Sequence, residues 1–281
     1  MKKPAEGWRR PVVWLLQACF ATVTLAGLAG LAGCAANSTT AGLPAAGTDI
    51  ATESDATPAR KRAQIRLDLA VDYFSRGQTT IALDEVKRAI VADPTYGEAY
   101  NLRGLIYMRL DDPKLAEDSF RRAMALKPRD GGILHNYGWM LCQQHRYPEA
   151  DQVFKQALAI PLYGDKAKTL MTEGLCQMQA GHKAEAEASL SASYQLDAGN
   201  PITGYNLASL LFQRNELTRA QFYIRRINNT DLANAESLWL GIKIERKMNN
   251  RVAMLQLADQ LQHRFPESRQ LIAYQQGAFN E

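Results

Sequence analysis

Small and large apolar residues recur at helical spacing between residues 102 and 128, in two short amphipathic stretches separated by Asp111–Pro113. Small side chains let two helices approach closely, and large ones fill the space between them. The positions are Gly104, Tyr107, Ala116, Phe120 and Ala123, and Pro128 ends the second stretch. Shifting the window by 34 residues in either direction finds the same order of residues. The chain is therefore predicted to repeat one pair of helices.

A 34-residue period with this order of small, aromatic and proline positions is typical of the tetratricopeptide repeat (TPR), a helix–turn–helix unit. The repeats are predicted at 63–96, 97–130, 131–164, 167–200, 201–234 and 234–267, the last two less regular than the others. Residues 268–278 are predicted to form a capping helix, because a terminal repeat otherwise exposes its stacking face. No strand pattern of convincing length is present. We predict an all-α TPR solenoid over residues 63–281, wound as a right-handed superhelix.

The N-terminal segment has the pattern of a secretory signal, with basic residues within 1–10 and an uncharged apolar stretch over 11–33. Residues 31–34, LAGC, resemble the bacterial lipobox, which predicts that Cys34 is lipidated and becomes the mature N-terminus. A competing site at Cys19 has a polar residue, Gln17, inside the box and a short apolar region before it. An uncleaved transmembrane anchor remains the alternative, since the apolar stretch is just long enough to span a bilayer.

Residues 34–62 follow this site and are rich in Ala, Thr, Ser and Gly without a hydrophobic period, so we predict a flexible tether. In the lipobox family, Asp after the lipidated cysteine favours retention at the inner membrane. Ala35 occupies that position here, which implies delivery to the outer membrane, facing the periplasm.

Charge argues against a nucleic-acid partner. The formal net charge is +4, but four basic residues and one acidic residue lie in the predicted signal peptide. The remaining 29 basic and 28 acidic residues leave a net charge of +1, without the basic excess that nucleic-acid binding needs.

Signatures of catalysis are missing from the sequence. It contains no Gly-rich phosphate loop, no Gly-x-Ser-x-Gly elbow, no His-Glu-x-x-His and no metal-spaced Cys/His cluster. The four histidines are scattered through the chain: His135, His145, His182 and His263. We therefore expect no enzymatic activity, no small-molecule substrate, no metal and no cofactor other than the acyl lipid on Cys34.

Cys142 and Cys176 are the two cysteines left after removal of the signal and lipidation of Cys34. They lie 34 residues apart, on the first helices of repeats three and four, which neighbour each other in a solenoid. Export to an oxidising compartment allows a disulfide between them. Two small buried thiols are the alternative, because the separation of the Cα atoms is not fixed by the sequence.

The concave surface of a TPR is lined by template positions 2, 5, 9 and 12 of each first helix. Along the chain these positions are largely apolar and Met-rich, which indicates a peptide-binding trough. A pattern for clamping a terminal carboxylate is missing, so an extended or helical apolar segment is the expected ligand. Alternatively, curvature buries part of this stripe between repeats. The predicted groove residues are Leu105, Met108, His135, Trp139, Met171, Leu175, Met178 and Phe212, preceded by Leu67, Val71 and Phe74 and accompanied by Tyr205.

The run HNYGWMLCQQ at 135–144, followed by RYPEA at 146–150, resembles the PilW/PilF family of type IV pilus biogenesis and stability lipoproteins. AEDSFRRA at 116–123, IPLY at 160–163 and GLC at 174–176 also resemble that family. The resemblance runs from the lipobox to repeat six and is most specific in repeats two to four. His145 departs from it, since Gly is commoner at that turn.

The resemblance implies a six-repeat outer-membrane lipoprotein that acts as a pilotin and supports pilus stability. A pilotin helps the secretin, the pore through which the pilus emerges, reach the outer membrane and form multimers. The family's paired cysteines match Cys142 and Cys176, which implies a disulfide. The secretin and the outer membrane are then the expected partners. The alternative is a TPR lipoprotein that serves as an adaptor for other envelope-assembly or cell-wall machinery.

Overall fold

The computed structural model describes residues 55–279, which contain thirteen α-helices and no strand. The predicted signal peptide, Cys34 and residues 34–54 of the predicted tether lie outside the described residues. The helices are α1 Pro58–Ser75, α2 Thr79–Ala92, α3 Gly97–Arg109, α4 Pro113–Leu126, α5 Gly131–Gln143, α6 Tyr147–Leu158, α7 Lys166–Gln179, α8 Lys183–Leu196, α9 Pro201–Gln213, α10 Leu217–Asn228, α11 Ala235–Lys247, α12 Arg251–Arg264 and α13 Arg269–Gln275. Between residues 55 and 279, no helix is both long and apolar enough to cross a bilayer.

The helices pack as six successive pairs followed by a single helix. Each helix contacts the next one along the chain, and the first helix of each pair also contacts the first helix of the following pair. Among residues 55–279, no second helix contacts another second helix. The first helices α1, α3, α5, α7, α9 and α11 are therefore closer together and line the inner surface. The predicted all-α TPR solenoid is confirmed.

The turn inside each pair repeats with the period of the sequence. Its left-handed residues, with positive φ, are Gly77, Asp111, His145, Gly181, Asn215 and Asn249. Their spacing is 34 residues except between His145 and Gly181, where the two-residue insertion before repeat four falls. His145 adopts φ 59°, a conformation that costs a residue with a Cβ atom more than it costs Gly. Asp111, Asn215 and Asn249 adopt the same conformation at the equivalent turns, so His145 departs from the family pattern without changing the turn.

Small residues on first helices face large residues on second helices, which explains the repeated order of residues. Phe120 and Phe154 are fully buried. A Cβ atom added to Gly138 would lie 2.7 Å from the Phe154 ring, and one added to Gly104 would lie 2.7 Å from the Phe120 ring. The glycines are needed because the aromatic rings of the partner helices occupy the space of a side chain.

Helix α1 begins at Pro58, five residues before the predicted start of the folded region, so the boundary of the tether at residue 62 is wrong. The Thr57 hydroxyl accepts a hydrogen bond from the backbone N–H of Arg60 (3.1 Å), and Pro58 suits the first turn of a helix. The Arg60 guanidinium pairs with Asp93 at 2.5 Å and lies 4.5 Å from the centre of the Tyr96 ring. Hydrophobic periodicity does not detect this turn because polar contacts hold it.

The last helix, α13, contacts both α11 and α12 and covers the end of the solenoid, as expected of a cap. The hydroxyl of Ser268 accepts a hydrogen bond from the backbone N–H of Leu271 (3.2 Å), and Leu271 is buried. After α13 the chain turns back, and Phe279 stacks on Trp239 of α11 with ring centres 5.2 Å apart. The terminal repeat therefore does not leave its stacking face open.

Candidate functional site

An open cleft of about 580 Å³ lies on the inner surface, across the C-terminal ends of α1, α3 and α5. Its apolar lining comes from Phe74, Leu105, Met108, Trp139 and Met140, and we call it the apolar cleft. Polar side chains complete its edge: Arg109, Asp111, Gln143 and Gln144. An apolar floor with a polar edge is the usual composition of a site that binds a peptide or another protein segment.

Contacts within and beneath the cleft fix its position. Arg109 donates a hydrogen bond from Nη1 to the carbonyl oxygen of Phe74 (2.7 Å), and its guanidinium carbon lies 3.8 Å from the centre of the Phe74 ring. Leu105 and Met108 are half-buried and pack against a core that contains Phe120. The cleft is therefore preformed, which lowers the entropy cost of binding a partner.

Three of the eight predicted groove residues, Leu105, Met108 and Trp139, meet in the apolar cleft. Met171, Leu175 and Met178 on α7 are half-buried to a similar degree but do not line this cleft. Met171 and Met178 pack against the buried core formed by α8 and α9. The middle of the predicted groove is thus partly filled by contacts between repeats, as the alternative interpretation of this stripe anticipated.

His135 does not line the groove, so its prediction as a groove residue is wrong. Its side chain is 6 % exposed, and its Nδ1 lies 2.9 Å from Oγ1 of Thr169 on α7. The hydroxyl of Tyr163 is 2.8 Å from the same oxygen. Burial lowers the pKa of His135 to about 4, and the positive charge of Lys168 lowers it further. The close approach of α5 and α7 turns this template position into a contact between repeats.

Phe212, the last predicted groove residue, belongs to a second surface at the other end. Lys247 Nζ lies 4.9 Å from the centre of the Phe212 ring. Lys243 Nζ lies between two rings, 5.9 Å from the centre of Phe212 and 5.5 Å from that of Trp239. Burial lowers the pKa of Lys243. We call Phe212, Trp239, Lys243, Arg246 and Lys247 the basic-aromatic patch.

The sequence contained the signal for this patch. In the sixth repeat, α11 begins at Ala235, and counting from there the template positions of the groove are Glu236, Trp239, Lys243 and Arg246. The predicted start at residue 234 shifts this count by one residue, and two of the four positions carry cations rather than apolar side chains, so they were missed. Arg109, Gln143 and Gln144 were missed because they lie one or two residues beyond the template positions.

Cys142 and Cys176 are joined in a disulfide, with Cα atoms 5.9 Å apart. Both cysteines are buried, and the bond connects α5 to α7. Cys142 follows the part of α5 that carries Trp139, so the cross-link lies next to the apolar cleft.

A second cleft, of about 490 Å³, lies between α6, α7 and α8 and is lined by three carboxyl groups, of which Asp151 and Glu173 lie next to each other and Glu185 is on α8. Glu173 is only 4 % exposed and accepts a hydrogen bond from the hydroxyl of Ser189 (3.3 Å). Burial raises the pKa of Glu173 to about 7, with a further contribution from the negative charge of Asp151. Lys155 pairs with Asp151 at 2.6 Å. The sequence gave no indication of this pair, because its members lie on different helices.

The described part of the chain, residues 55–279, holds no group of His, Cys, Asp or Glu side chains placed to bind a metal ion. The open clefts instead offer apolar, aromatic and charged contacts, which suit the binding of another protein.

Two family models for the tetratricopeptide repeat match this chain, at residues 67–131 and 132–160. The chain is 29% identical to the type IV pilus assembly protein PilF of Pseudomonas aeruginosa over 202 residues, which are 72% of this chain and 80% of PilF. Among solved structures, that of Pseudomonas aeruginosa PilF is similar with a TM-score of 0.70 and 27% identity, covering 79% of this chain and 100% of PilF. The crystal structure of PilW, a widely conserved type IV pilus biogenesis factor, is similar with a TM-score of 0.67 and 30% identity, covering 75% of this chain and 97% of PilW.

Proposed function

Because this chain belongs to the TPR family of type IV pilus biogenesis proteins that includes PilF and PilW, we propose that it acts as a pilotin. In this role it is a lipoprotein of the outer membrane, anchored through Cys34 and facing the periplasm. It binds a segment of the secretin and promotes the assembly of secretin multimers. It catalyses no reaction and needs no cofactor beyond its lipid.

The apolar cleft is the observation that carries this proposal. Phe74, Leu105, Met108 and Trp139 present apolar surface at an open cleft of about 580 Å³, and the side chains beneath them are held by the core. Burying one large apolar side chain of a partner contributes about 1.5–3 kcal/mol, so two anchors in the cleft supply about 3–6 kcal/mol toward binding, before the entropy cost of association. The preferred ligand is a segment with two or more large apolar residues on one face.

The anchor is supported by the lipobox at residues 31–34 and the basic and apolar segment before it. A single acyl chain gives only marginal membrane binding, whereas the several chains of a bacterial lipoprotein give stable anchoring. The lipid places the solenoid at the membrane in which the secretin must assemble.

A double variant, Met108→Ala with Trp139→Ala, tests the cleft. Both changes remove apolar surface from the cleft, and they keep the fully buried Phe120 of the core beneath it. We expect secretin binding to fall about tenfold or more, because buried aromatic residues commonly contribute more than 1.4 kcal/mol to an interface. The matched control is Leu162→Ala, which removes a side chain that is 97 % exposed outside the cleft. Unchanged binding in the double variant, with an unchanged helical circular dichroism spectrum, would exclude the cleft.

Replacing Cys34 by Ala tests the anchor and the role together. Membrane fractionation follows this protein, and unboiled gels follow the secretin multimer. The proposal predicts that the variant leaves the membrane and that the multimer is lost or misplaced. A variant that leaves the membrane while the secretin assembles normally would contradict the pilotin role and favour an adaptor for other envelope machinery.

A further inference from the structure

The basic-aromatic patch combines cations with ring faces at the last turn of α11. Lys243 and Lys247 lie over the rings of Phe212 and Trp239 at 4.9–5.9 Å, and the Arg246 guanidinium carbon lies 3.6 Å from the centre of the Phe279 ring. Rings hold such cations by attraction to their π faces, so the charges are oriented before a ligand arrives.

The acidic side chains of α11 are engaged with residues outside the patch. Glu236, two to three turns before Arg246 on the same face, accepts a hydrogen bond from Nε2 of Gln270 (3.4 Å). Helix α9 contains no charged residue, and α13 contains no acidic one. Glu245 is completely buried on another face of α11 and pairs with Arg225 at 2.8 Å. Neither Arg246 nor Lys247 forms an ion pair with any residue between 55 and 279. Arg246 and Lys247 are both exposed, so their positive charge is accessible to a ligand.

We propose that the basic-aromatic patch binds an acidic segment of the protein partner, carrying Asp or Glu side chains beside apolar ones. A carboxylate bound there contacts oriented cations above an apolar floor, where water screens the attraction less than on an open surface. This proposal rests on the proposed function, because the acidic segment belongs to the partner that occupies the apolar cleft.

The position of the patch favours a peptide over a membrane. It lies on the inner surface, formed by first helices that approach each other closely, and such a concave surface accepts a chain more readily than a flat bilayer. Packed helices lie about 8–10 Å apart, so α5 and α11, three first helices apart, are separated by roughly 30 Å. An extended segment needs about nine residues to span that distance.

The test measures the binding of fluorescent peptides to the full chain, which is kept in detergent. Each peptide contains an apolar block, a nine-residue neutral spacer and a block of four Glu. Both orders of the two blocks are made, and each has a counterpart with Gln in place of Glu. We expect the Glu peptide of at least one order to bind about tenfold more tightly than its Gln counterpart at low salt. Because the patch is open to solvent, the preference should shrink as salt rises.

The variant Arg246→Glu with Lys247→Glu should abolish the preference for Glu. Its control is Lys87→Glu with Lys114→Glu, which changes the net charge equally on the exposed faces of α2 and α4 and should keep the preference. Equal binding of Glu and Gln peptides, or a preference that survives Arg246→Glu with Lys247→Glu, would overturn the inference.

Two further outcomes separate this inference from its alternatives. If the apolar block binds and Trp139→Ala weakens it without any effect of Glu, the inference fails while the apolar cleft stands. If no peptide binds, both this inference and the apolar cleft as a binding site fail.

Binding to vesicles that contain phosphatidylglycerol tests the membrane as the alternative ligand. Vesicle binding that requires Arg246 and Lys247, without a preference for Glu peptides, would assign the patch to lipid headgroups and overturn a peptide ligand.

Discussion

The two ends of the inner surface are built from equivalent template positions in different repeats, but one end is apolar and the other is basic and aromatic. At the N-terminal end these positions hold Phe74, Leu105, Met108 and Trp139, and they form an open apolar cleft. At the C-terminal end they hold Phe212, Trp239, Lys243 and Arg246. Lysine side chains lie over the rings of Phe212 and Trp239 there. The repeat fixes where side chains are displayed, and the identity of each side chain determines what can bind there.

The structures that support the two ends also differ. Beneath the apolar cleft, aromatic rings fill the core, and the disulfide between Cys142 and Cys176 connects adjacent repeats. Near the basic-aromatic patch, a completely buried carboxylate, Glu245, accepts hydrogen bonds from side chains of three residues. They are Gln221 at 2.9–3.0 Å, Arg225 at 2.8 Å and Asn250 at 2.8 Å. Apolar packing and a covalent link hold one end, and a buried polar network holds the other.

Removing the disulfide should have the largest effect and should act on one end alone. Replacing Cys142 and Cys176 by Ala is expected to lower the free energy of unfolding by about 3–4 kcal/mol, since the bond constrains a long loop in the unfolded chain. Chemical denaturation measures this loss. Binding of apolar peptides should weaken, while discrimination between Glu and Gln peptides persists. Equal loss of both would show that the two ends are not supported independently.

Two buried groups in repeats three and four, His135 on α5 and Glu173 on α7, should give the stability of the fold opposing pH dependences. Because the pKa of Glu173 is raised from 4.5 to about 7, the folded state retains a proton that the unfolded state loses, and stability falls as pH rises through that window. Because the pKa of His135 is lowered from 6.5 to about 4, its contribution falls as pH drops from 6.5 to 4. Each shift corresponds to at most about 3 kcal/mol.

The Glu173→Gln variant separates these effects. It should remove the loss of stability between pH 4.5 and 7 and leave the contribution of His135, so that stability rises from pH 4 to 6.5 and then stays level. Denaturation midpoints measured from pH 4 to 8 test this. A variant with the same pH profile as the wild type would contradict a buried, protonated Glu173. Asp118→Asn, which changes an exposed carboxylate on α4, is the control.

Matched glycine substitutions near the two ends should give the smallest effects on the free energy of unfolding. In Gly138→Ala, the new Cβ atom lies 2.7 Å from the fully buried Phe154 ring, and we expect a loss of about 1–2 kcal/mol. In Gly204→Ala, the nearest atom is the flexible Cδ1 of Ile227 at 3.2 Å. The gain in helix propensity then leaves stability nearly unchanged or slightly higher. Thermal unfolding of the two variants measures these changes. Equal losses of stability in the two variants would contradict the tighter packing around Gly138.

Most of the fold was predictable because the order of small and large residues along each repeat determines how its two helices pack. Gly138 and Phe154, one on each helix of a pair, show this rule directly. The true start of α1 was not predictable from periodicity, since Arg60 is held by Asp93, which lies 33 residues away.

The candidate site was only partly predictable, because template positions state where a side chain points but not how closely the next repeat approaches. Trp139 lines the apolar cleft as predicted from its position, whereas His135, one turn earlier on α5, is covered by the contact with Thr169. Lys243 was missed because its role depends on two rings from different helices, Phe212 and Trp239.

Site-specific photo-crosslinking in cells tests the central claim most directly. A photoreactive amino acid replaces Gln143, an exposed residue at the edge of the apolar cleft, or Lys87, an exposed residue on α2 outside it. The account predicts a cross-link to the secretin from position 143 and none from position 87. Cross-links to the secretin from position 87 but not from 143 would contradict it, because the partner would then bind outside the inner surface.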